Sequence, residues 1–148
     1  MGMTRSAAPT EIACYFVSGD PRTKGSMRVF GPGRFAPANT ELKAWESHVC
    51  ECTRTATDKR DITGAVKVRL RFGMRRPKGH YLPSGQVRDR SPRWHTTRGD
   101  LDKLVRAVLD GITLAGLWRD DSQVVSLHAE KVYDSEPGCH VWIGGLHG

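Results

Sequence analysis

The chain has 148 residues, of which 38% are hydrophobic, and a formal net charge of +7. That length suits a single domain with a modest core, and no apolar run is long enough to span a bilayer. "MGMTRSAAPTE" lacks the apolar centre of a secretory signal, so a cytoplasmic protein is expected, with residues 1–10 a flexible lead-in and residues 11–148 one domain.

"EIACYFVSG" reads as a buried strand, ended by the turn residues of "GDPRTKGS". "MRVF" and "RFAP" are short enough to form a hairpin around "GPG". "NTELKAWESHVCECTRTATDK" reads as a helix capped by Asn39 or Thr40, with Leu42, Trp45, His48, Val49 and Cys52 at helical spacing. In "GAVKVRLRF", Val66, Val68, Leu70 and Phe72 alternate with Lys67, Arg69 and Arg71, which predicts a strand with an apolar inner face and a basic outer one. Residues 74–98 have no periodicity and carry Pro77, Pro83 and Pro92, the mark of a long loop. Leu101, Leu104, Val105, Val108, Leu109 and Ile112 then form one helical stripe. "QVVSLHAEKVY" and "CHVWIGG" predict two closing strands, paired as a hairpin across "DSEPG". The fold class expected is mixed α/β, a small mixed sheet with two main helices.

Charge is distributed unevenly. Arg69, Arg71, Arg75, Arg76, Lys78, Arg88, Arg90, Arg93 and Arg98 crowd the stretch before the second helix, with Asp89 as its only acid before Asp100. Such a cluster neutralises phosphates. Lys24 and Arg28 in the first turn are further candidate phosphate contacts, and Trp94 is a candidate for base stacking. His80 and His95 flank the loop and could touch DNA or metal, but structural or solvent roles are favoured because carboxylates and water suit Mg²⁺ better than imidazole. Trp45, Trp118 and Trp142 read as core or subunit contacts. The cysteines, Cys14, Cys50, Cys52 and Cys139, lack the paired spacing of a zinc site and read as spectator thiols.

Beside this basic stretch, "GDLDKLVRAVLDGITLAGLWRDD" carries Asp100 and Asp102 at one end of a helix and Asp120 and Asp121 just past the other. Carboxylates brought close repel unless a cation neutralises them, and hard divalent ions prefer oxygen ligands. A carboxylate cluster in a basic surround suits metal-assisted phosphodiester hydrolysis. Spacing alone does not bring the two ends together. A plainer reading stands beside this one: Asp100 caps the helix, Asp102, Arg106 and Asp110 form a surface ladder of ion pairs, and the tandem pair is a polar turn.

"GDLDKLVRAVLDGITLAGLWRDDSQVV" resembles the signature of the RusA family of Holliday junction resolvases, D-x-D-N/K-L, a helix, then D-D-x-Q-V. "VSGDPRTKGSMR" resembles the family's N-terminal strand and basic turn, and "RPKGHY" and "HTTRGDLDKLVRAVLD" look like its phage-borne branch. The resemblance implies a homodimer that nicks four-way DNA junctions symmetrically with Mg²⁺, for which Mn²⁺ is expected to substitute, in the bacterial host cytoplasm. It implies Asp100, Asp102 and Asp121 as metal ligands and leaves the role of Asp120 open. The DNA contacts assigned are Lys24, Arg28, Arg75, Arg76, Lys78, Arg93, Arg98 and Lys103. Two positions depart from the pattern. Lys103 follows the second aspartate where many members have Asn, and Arg106 stands where the best-known members carry a catalytic lysine. Arginine keeps the charge but gives up no proton near neutral pH. Lys131 is set aside as a replacement because ten residues of strand from Asp121 span roughly 33 Å. The rival functions are a flap- or fork-preferring nuclease and a branched-DNA-binding protein that does not cut.

Overall fold

The computed structural model describes residues 8–25 and 40–148. The expected 27–37 hairpin, the Asn39 cap and Arg28 lie outside the described residues. Four strands, β1 (Thr10–Ser18), β2 (Val66–Met74), β3 (Val124–Tyr133) and β4 (Gly138–Gly145), form one sheet in the order β1-β4-β2-β3. Two helices, α1 (Thr40–Ala56) and α2 (Leu101–Leu114), complete the mixed α/β fold.

The alternation in β2 sets the layers. Val66, Val68, Leu70 and Phe72 are buried, while Arg69 and Arg71 stay exposed on the other face. The helices cover the apolar side: Trp45 and Val49 of α1 and Leu104, Val105, Val108, Leu109 and Ile112 of α2 share the core with β2. On the outer side Arg69 lies over the Trp142 ring, 5.1 Å from its centroid, so Trp142 is a sheet-face residue and not core. Trp45 and Trp118 are core, as expected. Cys52, partly buried, packs against the core as its spacing predicts, Cys50 is buried as well, and Tyr15 Oη, 2.6 Å from Thr53 Oγ1, ties β1 to α1.

The predicted closing hairpin does not form. β2 lies between β3 and β4, parallel to the first and antiparallel to the second. β2 and β4 are the two inner strands, and the inward-facing Val66, Val68, Leu70 and Phe72 of β2 are shielded by a neighbour on each side. The loop and α2 carry the chain back across the sheet, the long crossover that a parallel pair needs. The turn after β3 then passes the end of β2, where Asp134 N donates to Met74 O at 2.9 Å. Gly73 makes room: a Cβ there would meet Asp134 Cβ at 2.9 Å.

The basic loop is more ordered than its composition predicts. It contains a 3-10 turn at Lys78–His80, and Trp94 bridges to Val132 on the free edge of β3. Tyr133 N donates to Arg93 O at 2.9 Å. Tyr133 stands between His80 and His95, each ring 4.9 Å away, with Arg76 5.2 Å from its ring centre. The two histidines are therefore structural, as expected.

The helices approach closely at Gly111. A Cβ there would lie 2.7 Å from Val49 Cβ and 3.0 Å from Glu46 O. Gly111→Ala gains about 1 kcal/mol of helix propensity but introduces an overpacking strain of about 1–3 kcal/mol. The expected outcome is a less stable protein, seen as a lower urea midpoint with an unchanged slope.

Candidate active site

The start of α2 follows from capping chemistry. Asp100 is the N-cap residue in extended conformation, after Gly99 at φ +109°, and Asp102 lies in the first turn. The four free N–H groups of a helix start favour both carboxylates. Asp100 makes no side-chain cap bond; its carboxylate is exposed and sits 3.7 Å from Lys103 Nζ.

Asp121 opens a 3-10 turn, Asp121–Gln123, that leads into β3. Gln123 clamps this turn. Its Oε1 accepts from Arg119 N at 2.9 Å and Asp120 N at 3.3 Å, and its Nε2 donates to Ile62 O and Gly64 O at 2.9 and 3.0 Å. Gln123 thus positions the tandem aspartates. The sequence shows it only as a letter in a motif, because its partners lie about 60 residues earlier.

Asp102, Arg106 and Asp121 line one groove of about 370 Å³ between α2 and β3, walled by Val105, Leu109 and Leu127. The two ends of the acidic segment therefore do face a common space. Asp100 is not among the groove's lining residues, and among the described residues no three acidic, histidine or cysteine side chains are grouped closely enough to hold a metal as they stand.

The charges around the groove are unequal. Burial raises the Asp121 carboxyl above the usual range, helped by a hydrogen bond with Asp120 and by the charges of Asp120 and Asp110, while Arg106 opposes the shift. The Ser122 hydroxyl, 2.9 Å from Asp120 Oδ2, leads the causes that lower the Asp120 carboxyl. The hydrogen bond between the two carboxyls thus favours the charged form of Asp120 and the neutral form of Asp121. Asp102 takes part in no ion pair among the described residues. The ladder expected from Asp102 through Arg106 to Asp110 is half made, with Arg106 Nε 3.9 Å from Asp110 Oδ1.

An adjoining pocket shares Asp102 and Arg106 and adds Lys24, Gly25 and Lys103. Lys24 Nζ lies 2.9 Å from Asp110 Oδ2 and 3.3 Å from Glu46 Oε1, and its backbone N donates to Lys103 O at 3.1 Å. Asp110 is thus more than a rung on a surface ladder: it holds Lys24 and acts on Asp121.

The basic residues divide by role. Arg75, Arg98 and Arg22 line a cleft of about 310 Å³ beside Gly99, with His95 in its wall and Asp20 3.2 Å from Arg75. Arg76 donates to Pro92 O at 2.8 Å and covers Tyr133, so it braces the loop. Arg93 lies over the exposed Trp94 ring, 5.3 Å from its centre. Lys78 sits in the exposed 3-10 turn. Lys131, far along β3 from Asp121, returns to the start of α2, where its Nζ donates to Gly99 O at 2.7 Å and Thr97 O at 3.0 Å.

Paired carboxylates, one arginine and a basic border are equipped to hold a phosphodiester and a hard cation together. No curated protein matches the chain. The family model for the endodeoxyribonuclease RusA matches residues 19–144, a span that takes in the groove, the Lys24 turn and the basic loop. The chain belongs to the RusA endodeoxyribonuclease family, hydrolases that cut DNA within the strand.

Proposed function

We propose that this protein is a Mg²⁺-dependent, homodimeric resolvase of four-way DNA junctions acting in the cytoplasm. The observation that carries the reading is the groove in which Asp102 and Asp121 face Arg106 beside an arginine-lined cleft. The donor set suits Mg²⁺, which binds through one or two carboxylates with water and phosphate completing its shell. Asp102 and Asp121 would hold it, with Asp100 as the third ligand at the open helix start. When bound, the ion supplies an activated water and charge stabilisation at the phosphate. Arg106 offers a fork of N–H groups to the phosphate oxygens. Arg75, Arg93, Arg98, Lys78 and Lys103 hold the flanking backbone. Two such sites related by a dyad match paired nicks in a symmetric junction.

Incubation of end-labelled junction, fork and flap DNA with and without Mg²⁺ or Mn²⁺ tests this reading. Symmetrical nicks on the junction are expected. Preference for a flap or fork would make it a different structure-selective nuclease, and binding without cutting would remove the enzyme.

Asp102→Asn and Asp121→Asn are each expected to abolish nicking while keeping or tightening junction binding, since each removes a negative charge near phosphate. Cleavage at the wild-type rate by either variant would contradict the site. Arg106→Ala is expected to slow single-turnover cleavage about 10²-fold, the usual loss on removing one charge-stabilising group. Arg106→Lys should keep much of the rate. If Arg106 only supports Asp110, the alanine variant melts slightly earlier and cuts normally.

Junction affinity should fall steeply with salt, with a slope of about −0.9 per phosphate neutralised. Replacing Arg75, Arg93 and Arg98 together is expected to flatten that slope. Replacing Arg76 should instead lower the melting temperature, because Arg76 is engaged within the loop.

A further inference from the structure

Cutting a phosphodiester leaves an oxygen that must gain a proton, and the groove has few groups able to give one. Arg106 keeps its proton at any working pH. Asp102 belongs to the ion. Lys103 also borders the adjoining pocket, but its ammonium pairs with Asp100 at 3.7 Å, a carboxylate assigned to the ion, and no second group fixes it among the described residues.

Lys24 differs. It enters from the turn after β1 and lines the pocket that shares Asp102 and Arg106 with the groove. Two helices fix its ammonium, through Asp110 of α2 at 2.9 Å and Glu46 of α1 at 3.3 Å. An ammonium has three N–H donors. Among the described residues they reach Asp110 Oδ2 at 2.9 Å and both oxygens of Glu46 at 3.3 and 3.4 Å, two long contacts with which a substrate oxygen can compete.

We propose that Lys24 is the proton donor to the leaving oxygen of DNA cleavage, held by Asp110 and Glu46 in the pocket that adjoins the groove. This rests on the nuclease reading above. In the step, a water oxygen bonds to phosphorus and gives its proton to solvent. The phosphorus–oxygen bond to the leaving nucleoside breaks, and its electron pair stays on that oxygen. The oxygen takes a proton from Lys24 Nζ, and the amine is reprotonated from solvent. The hydrogen bond to Asp110, with the charge of Glu46 behind it, holds the Lys24 ammonium above its ordinary range. The donor is therefore charged throughout the neutral and mildly alkaline range, yet is still a far stronger acid than a nucleoside alcohol. Asp110 and Glu46 are positioning residues in this scheme.

The test compares two junctions, one natural and one with sulfur in place of the leaving bridging oxygen. A thiolate leaves without help because a thiol ionises near pH 8.5. Lys24→Ala is expected to cut the oxygen junction about 10²–10⁴-fold more slowly, the range typical of general acid loss. The same preparation should cut the sulfur junction within about tenfold of wild type. Lys24→Arg keeps the charge and should remain as slow on oxygen as the alanine variant. The ratio of the two rates within one preparation is independent of the fraction folded. Melting temperature and junction affinity in Ca²⁺ give readouts separate from cleavage, and both should change little in Lys24→Arg. Equal slowing on both junctions, full activity of Lys24→Ala, or oxygen cleavage restored by arginine overturns the proposal. A wild-type protein that cuts neither junction with Mg²⁺ or Mn²⁺ overturns the nuclease reading, and this inference falls with it.

Discussion

The close contact of α1 and α2 at Gly111 governs the site as well as the core. No side chain fits between Gly111 and Val49. The helices therefore meet backbone to side chain, and Glu46 O comes within 3.0 Å of where a Cβ would stand. One residue before Gly111 lies Asp110. Glu46 and Asp110 thus project from neighbouring points on two helices, and the Lys24 ammonium lies between them. A larger residue at 111 would push apart the two carboxylates that hold this lysine. Core packing and the charge pattern of the pocket are one constraint seen from two sides.

The second constraint is the central position of β2. Because β2 pairs with both β3 and β4, α2 must cross the sheet before β3 begins. That crossing lays α2 along β3. It puts the first turn of α2 and the turn before β3 on a shared groove, where Asp102 and Asp121 face Arg106. A β3–β4 hairpin at the sheet edge would have supplied no such guarantee. The same geometry returns Lys131 to Gly99, although it lies well along the strand from Asp121.

Much of this was legible in the residues. The stripe of α2 and the alternation of β2 report burial directly, since period 3.6 and period 2 are physical consequences of helix and strand. The capping logic placed Asp100 at the helix start, and the family pattern pointed to Asp121. Strand order was not legible: "QVVSLHAEKVY" and "CHVWIGG" separated by turn residues look like a hairpin whether or not another strand intervenes. The order of the basic loop was hidden too. It depends on Tyr133 receiving His80, His95 and Arg76, contacts that arise only once β3 is in place. Gln123 and Lys24 were underread for one reason. Their partners are distant in the chain, 22 residues for Lys24 and Glu46 and about 60 for Gln123 and its carbonyls.

The groove also explains why arginine at 106 is compatible with a cutting enzyme. Arg106 is exposed and only loosely paired with Asp110 at 3.9 Å, so it is free to turn its fork to a phosphate. Lys24 holds Asp110 more tightly, at 2.9 Å. If Arg106 were the sole cation there, Asp110 would compete with the phosphate for it. With Lys24 on Asp110, much of that carboxylate's demand is already met, and the guanidinium can serve the substrate. One cation fixes the carboxylates between the helices while the other remains available at the groove. That division of labour follows from the difference between a compact ammonium, suited to a narrow cleft between two acids, and a planar fork suited to an open phosphate.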